Sequence, residues 1–201
     1  MKRTLSFFSR GRIRPLLFGE PLNGKDRSVL LRQMKGRVFD PSLVSAVVRR
    51  CPKGFPAVIQ CAPLKKGKPF PTSFWLTCPW LVRLCGMRES EGAVSVLEET
   101  LKMNRAQWTS YHCDAARIRT LSLTPAERRF LQRFRAKTWR ALSKGGVGGI
   151  DYRRGGGVKC LHLQVASWLA VGRHPAKELL QRMMLPRVCD ASSKWECICS
   201  F

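Results

Sequence analysis

The sequence predicts an α+β fold, a single domain in which a small β-hairpin or sheet packs against several α-helices. The first observation is a pair of β-type segments, FPAVIQCAPL (55–64) and FPTSFWLT (70–77), joined by the turn-forming segment KKGKP. The second is the helical spacing of apolar residues after Pro79. The third is a hydrophobic content of 44% with six tryptophans, which a chain of 201 residues can bury in one substantial core.

The region before the first strand is basic. Residues 1–40 are predicted to form a basic N-terminal arm or accessory segment, with a short helix in SVLLRQM (28–34). PSLVSAVVRR (41–50) predicts a short amphipathic helix, because proline suits a first helical turn and arginines suit a last one. The main α+β domain is predicted over residues 41–186, followed by a C-terminal tail over 187–201.

A series of helices is predicted after the two strands, since apolar residues recur at intervals of three and four. The segments are 80–87 (ended by Gly86), 91–103, 104–121, 126–142, 158–171 and a last helix from Pro175. Thr124, Pro125 and Glu127 form a capping-box signal at the start of the fourth. Phe130 and Phe134 are predicted on its apolar side, with arginines crowding the rest of its surface.

The charge of the chain favours polyanionic surroundings. Lys and Arg number 37 against 13 Asp and Glu, a formal net charge of +24, which suggests RNA, DNA or an anionic surface as partner. No apolar run approaches the roughly 18 to 20 residues that span a bilayer. The first 20 residues are too interrupted for a secretory signal, so a cytoplasmic location is predicted, with an organellar transit peptide as the alternative.

Three of the nine cysteines occupy turns or helix starts. An odd number without an export signal argues against a disulfide framework. Cys78 precedes Pro79 at a predicted helix start, where free amides and the helix dipole favour thiolate. The same argument applies to Cys160, early in its own helix, and Cys51 lies at a bend before Pro52.

Convergence of these thiols would create a metal site. Cys51, Cys78 and Cys160, with His162 nearby, are the predicted ligands of zinc or an iron–sulfur cluster, because thiolate is soft and charge-donating. Residues 160 and 162 on a regular helix point about 200° apart. A three-thiolate site with an open position, or with His162 outside the ligand shell, therefore fits better. A reactive-thiol enzyme and ordinary packed cysteines are the alternatives, and whether the protein is an enzyme stays open.

A second predicted site lies in the glycine-rich segment 143–159. Gly146, Gly148, Gly149 and Lys159 are predicted to bind an anion such as a phosphate, because glycine permits close backbone approach and a helix start with basic neighbours follows. The alternative is a connector without a ligand. A competing function is therefore a non-enzymatic RNA- or DNA-associated protein whose cysteines are structural, with Trp139 on the arginine-rich helix available for stacking.

Several blocks also carry a resemblance. CPKGFPAVIQ, PTSFWLTCPWLVRL, RESEG, GVGGI and VKCLHLQVASWLAVGRHPA resemble the bacterial domain-of-unknown-function family numbered 501, over about residues 50–176. The resemblance implies no activity. It implies that Cys51-Pro52, the 77–79 segment, the 146–150 loop and the 159–162 segment are motif positions. His174-Pro175 stands where that family usually has Asn-Pro.

Overall fold

The computed structural model describes residues 8–9, 12–13, 15, 17–154 and 156–184. Over these residues it confirms the predicted α+β class, with a three-stranded antiparallel sheet and eight α-helices. The predicted tail at 187–201 lies outside the described residues. The boundaries proposed at residues 40 and 186 stay predictions.

The elements are named in chain order. The strands are β1 (Phe8–Ser9), β2 (Arg12–Ile13), β3 (Val44–Arg50), β4 (Pro56–Cys61), β5 (Leu64–Lys65), β6 (Lys68–Pro69) and β7 (Phe74–Leu76). The α-helices are α1 (Gly24–Gln33), α2 (Pro79–Ser90), α3 (Ala93–Met103), α4 (Arg105–Leu121), α5 (Pro125–Phe134), α6 (Ala136–Lys144), α7 (Leu161–Val171) and α8 (Lys177–Met183). Three short 3₁₀ helices cover Pro41–Leu43, Val147–Gly149 and Tyr152–Arg154.

The main sheet has the order β3-β4-β7, and both of its faces are covered. Every residue of the central strand β4 is buried, as expected for a strand between two packed layers. Val58 packs into the large core formed with the helices that follow the sheet, whereas Ile59 packs beside Leu30 of α1. The pairing of β4 with β7 confirms the two strands predicted from the sequence.

Residues 41–50 do not form the predicted helix. Pro41–Leu43 is a single 3₁₀ turn, and Val44–Arg50 is strand β3, paired antiparallel with β4. The terminal proline and arginines favour a helix, but the β-branched side chains of the valines favour a strand when a buried partner is available. Arg50 closes this region by pairing with the buried Asp26 of α1, with contacts of 2.7 and 2.9 Å.

The helix predicted over 126–142 is two helices. The capping box of Thr124 and Glu127 starts α5 as predicted, but Arg135 has a non-helical backbone that separates α5 from α6. This break lets Leu131 and Leu142 bury in one cluster. Phe130 and Phe134, predicted on the apolar side of this helix, are 51% and 63% exposed.

Two other helix boundaries differ from the prediction. Helix α2 does not end at Gly86 but continues to Ser90. Helix α7 begins at Leu161, three residues later than predicted, with Cys160 as its N-cap. With these boundaries, Glu89 in the last turn of α2 contacts Leu161 at the start of α7. Among the described residues, no helix is both long and apolar enough to span a membrane.

Candidate metal site

Two of the three predicted cysteines lie at helix starts. Cys78 is the N-cap of α2, with Pro79 in the first helical turn, and Cys160 is the N-cap of α7. Both thiols are partly exposed. The first position confirms the helix start predicted at Pro79, whereas Cys160 lies before α7 and not inside the helix predicted over 158–171.

The prediction that the helix start stabilises the thiolate of Cys160 is wrong for the protein without a bound metal. Burial raises the pKa of Cys160, and the nearby Glu89 carboxylate raises it further. The amide groups of Leu163 and His162 and the charge of Lys159 lower that pKa but do not outweigh burial. Helix-start geometry alone therefore does not activate this cysteine.

The structure divides the four predicted metal ligands into two pairs. Cys51 and Cys78 line a cavity of about 180 Å³ that Trp168 also lines. Cys160 and His162 lie elsewhere, beside Glu89. No group of three ligand-type residues within mutual reach includes Cys51 or Cys78 in the described part of the chain. The predicted three-thiolate arrangement is therefore not assembled.

Glu89, Cys160 and His162 form a different cluster. One ligand atom from each side chain lies within 4.8 Å of the other two, which is the sole such triple among the described residues. Glu89 comes from the last turn of α2, whereas Cys160 and His162 come from the start of α7. The side chains of Glu89 and His162 are each 26% exposed, so the cluster lies at the protein surface without being fully solvated.

The two helices are joined by the Glu89 carboxylate. Its Oε1 accepts a hydrogen bond from the backbone N–H of Leu161 at 2.6 Å and lies 3.0 Å from Nδ1 of His162. A carboxylate suits a helix N-terminus because free amides and the helix dipole favour negative charge there. Glu89 therefore acts as a cap for α7 supplied by another helix.

The backbone of Cys160 allows it and His162 to reach one centre. Cys160 has an extended conformation, with φ −167° and ψ 158°, and only the residues after it are helical. The separation of about 200° that applies within a helix therefore does not apply to this pair.

A backbone carbonyl fixes the orientation of the His162 ring. Nε2 of His162 lies 3.1 Å from the carbonyl oxygen of Val82. A carbonyl can only accept a hydrogen bond, so Nε2 carries the proton and donates it. The Glu89 carboxylate also only accepts, so its 3.0 Å contact with Nδ1 is a hydrogen bond when the ring carries a second proton, and a metal ion bound to Nδ1 would replace that proton. This pattern, in which one ring nitrogen donates to a carbonyl and the other faces the site, is typical of histidine ligands.

A fourth side chain adds to the electrostatics of the cluster. Cys85, one turn before Glu89 on α2, is fully buried. Burial raises its pKa strongly, and the Glu89 and Cys160 charges contribute in the same direction. Several groups that become negative on deprotonation thus lie close together, so a bound cation would stabilise their anionic forms.

Three of the four predicted anion-site residues lie together, and Gly146 lies apart from them. Gly148 and Gly149 line a cleft of about 700 Å³. The Lys159 side chain lies against Gly148, since a Cβ added to Gly148 would be 3.4 Å from Cδ of Lys159. Gly146 instead packs on the ring of His112. The amides of Gly146 and Gly149 donate to Ile150 and Gly146 carbonyls within the loop. The backbone amides of these two glycines are therefore not available to hold an anion.

Arg119 holds this glycine loop in place. Its buried guanidinium donates to the carbonyls of Leu142 at 2.9 Å, Gly145 at 2.8 Å and Gly146 at 2.7 Å. Burial lowers the pKa of Arg119 to about 10, which still leaves it charged near neutral pH. The positive group satisfies carbonyls at the end of α6.

His174 accepts a backbone hydrogen bond of the kind that asparagine accepts in turns. Its Nδ1 accepts the backbone N–H of Ala176 at 3.0 Å, and its Nε2 contacts Oε1 of Gln164 at 3.0 Å. Asparagine commonly accepts a backbone N–H two residues ahead. The departure from the Asn-Pro pattern is thus compatible with the same local turn.

Sequence reasoning missed Glu89 and Arg119. Glu89 lies in the RESEG segment, which is one of the blocks that resemble the family. That resemblance is the sequence signal from which a role for Glu89 could have been inferred. Nothing in the local sequence distinguishes Arg119 from the other arginines, because its hydrogen-bond partners lie in residues 142–146, more than 20 positions away.

The fold and the site together define the class of protein: an α+β protein with a Glu–Cys–His cluster where helices α2 and α7 meet. Residues 47–182 match a family described as Protein of unknown function (DUF501). The match covers well over half of the chain, so the protein belongs to this family. No curated protein and no solved structure matches the chain.

Proposed function

We propose that the protein binds a divalent transition metal, with zinc as the best match, through Glu89, Cys160 and His162. The observation that carries this proposal is the meeting of three different ligand atoms within 4.8 Å. It is supported by the Val82 carbonyl, which orients the His162 ring so that Nδ1 faces the other two side chains.

The chemistry of the donor set favours zinc over an iron–sulfur cluster. Zinc accepts thiolate, imidazole and carboxylate ligands at about 2.0–2.3 Å. Ligand atoms around one tetrahedral ion lie about 3–4 Å apart at those bond lengths, so only small side-chain movements are required here. An iron–sulfur cluster generally needs several cysteines, and this triple contains one.

Three protein ligands leave one position of a tetrahedral ion open. In zinc proteins such a position takes water or a substrate, whereas structural sites generally have four protein ligands. Cys85 is buried beside the cluster and is the nearest additional thiol on α2.

The test is metal analysis of tag-free protein. We expect about one zinc per chain by elemental mass spectrometry, and a thiolate-to-metal absorption band after replacement by cobalt(II). Cys160→Ser and His162→Gln should each lower metal content at least about tenfold. Cys113→Ser, which alters an exposed cysteine of α4, is the matched control and should retain the metal.

The same variants distinguish the two ligand sets. Cys51→Ser and Cys78→Ser should leave metal content unchanged if the Glu89 cluster is the site. Loss of metal in these variants, with retention in Cys160→Ser, would show that Cys51 and Cys78 bind it instead. Metal-free protein that takes up no added zinc would overturn the proposal and leave Glu89 as a helix cap alone.

Nucleic-acid association is the second candidate function. It is favoured by the net charge of +24 and by the basic lining of the large cleft. It needs no metal, so the two functions are separable by experiment.

A further inference from the structure

We propose that the basic cleft beside the glycine loop binds the phosphate backbone of single-stranded nucleic acid. The cleft has a volume of about 700 Å³ and is open to solvent. Its basic lining residues are Lys137, Arg140, Lys144 and Arg153, and its one acidic lining residue is Asp151. The proposal concerns a site apart from the Glu89 cluster and does not depend on the metal.

Helix α6 contributes three of the four basic groups. Lys137, Arg140 and Lys144 are spaced by three and four residues, so they share one face of the helix. All three are exposed, and none forms an ion pair with a carboxylate in the part of the chain that the structure describes. Cations aligned in this way repel one another, and an anion in the cleft relieves that repulsion.

The length of this basic stripe favours a chain of phosphates over a single phosphate. Residues 137 to 144 extend along the helix for about 10 Å at 1.5 Å per residue. One strand of a DNA duplex carries one charge for about every 3.4 Å of axis, and an unpaired strand is more extended, so a stripe of about 10 Å is longer than a single phosphate and can face neighbouring phosphates of one strand. Recognition of the phosphates would depend on the charged side chains, because the backbone N–H groups of Gly146 and Gly149 already donate to carbonyls within the loop.

The preceding helix provides a surface suited to unpaired bases. Phe130 and Phe134 are exposed, with ring centroids 5.4 Å apart, and the guanidinium of Arg133 lies 5.4 Å from the Phe134 ring centre. Exposed aromatic rings among cations are typical of single-strand binding, where bases stack while phosphates are neutralised. Since α5 packs against α6, the rings and the basic stripe belong to neighbouring helices.

The test is fluorescence anisotropy with short labelled single-stranded RNA and DNA of mixed sequence, using the full chain. The variant Lys137→Gln/Arg140→Gln/Lys144→Gln should bind at least about tenfold more weakly, and the dependence of log K on log salt should become shallower by about 2. Lys25→Gln/Arg27→Gln/Lys35→Gln removes the same charge from exposed positions at and after α1 and should keep the wild-type affinity. A chelator should change neither result.

Other outcomes contradict the proposal. Equal losses in the two triple variants would mean that net charge, and not the cleft, causes binding. Displacement of the oligonucleotide by inorganic phosphate at low millimolar concentration would indicate a site for one phosphate. Tighter binding of duplexes than of single strands would assign the surface to double-stranded nucleic acid. Binding of the wild-type protein to vesicles containing phosphatidylserine, if lost in the cleft variant but not in the control variant, would assign the surface to a membrane. Circular dichroism of each variant checks that it is folded.

Discussion

Glu89 on α2 and His162 on α7 lie 3.0 Å apart, Oε1 to Nδ1, although 73 residues separate them in the sequence. The same carboxylate oxygen accepts the N–H of Leu161. One side chain therefore caps a helix and contributes to the candidate metal site, and these two roles predict different consequences for different substitutions.

Glu89→Gln and Glu89→Ala should separate capping from metal binding. Glutamine keeps an oxygen that accepts the Leu161 N–H, so chelator-treated Glu89→Gln should lose less than about 1 kcal/mol of unfolding free energy. Alanine removes the acceptor and should cost about 1–2 kcal/mol. Both should weaken zinc binding. Urea unfolding with and without zinc measures these effects, with the exposed Glu98→Gln as control. Full zinc affinity in Glu89→Gln would contradict a ligand role for the carboxylate.

Arg119→Met should destabilise the glycine loop and the end of α6. The substitution leaves the carbonyls of Leu142, Gly145 and Gly146 without their shared donor. We expect a loss of about 2–4 kcal/mol in unfolding free energy, measured by urea denaturation. Arg117→Met, at an exposed position of the same helix, should cost less than about 0.5 kcal/mol. Equal effects of the two substitutions would contradict the structural role of Arg119.

His112 should make the protein less stable in mild acid. Burial lowers its pKa from the ordinary 6.5 to about 4. Between those values the unfolded chain binds a proton that the folded chain does not, so stability falls as pH falls from about 6.5 and levels off near pH 4. The contribution of His112 is at most about 3 kcal/mol. His174, whose pKa is lowered to about 3 by burial and by the charge of His112, acts in the same direction.

His112→Asn tests this pH dependence. Asparagine can still accept the Val147 N–H that Nδ1 of His112 accepts at 3.1 Å, but it does not titrate. The variant should therefore show a shallower decline of unfolding free energy between pH 6.5 and 4, with His174 responsible for the remainder. An unchanged slope would mean that His112 does not determine the acid sensitivity.

Cysteine accessibility should follow burial. Burial raises the pKa of Cys61 to about 12 and also raises that of Cys85, so both should resist alkylation near neutral pH in the folded protein. Cys113 is exposed and should react much faster. Mass spectrometry after brief alkylation, with urea-unfolded protein as control, measures this order. Rapid native-state labelling of Cys61 would contradict the buried position of β4.

Local signals in the sequence determined much of the architecture. The β-branched segment around Val58, the capping box at Thr124 and the proline after Cys78 each indicate structure through neighbouring residues, and each prediction was confirmed. Backbone preferences and capping hydrogen bonds act within a few residues, so they can be deduced from short stretches.

Tertiary packing decided the rest. Val44–Arg50 became a strand because β4 offered it a buried partner, and Glu89 reached the start of α7 because α2 continued beyond Gly86. Among the described residues, no triple of ligand-type side chains within mutual reach joins Cys51 or Cys78 to Cys160. The sequence determined where several helices begin, as at Pro79 and Pro125, and which side chains have the chemistry of metal ligands. Which of them meet depends on contacts between segments far apart in the chain, because the free energy of those contacts exceeds local preference.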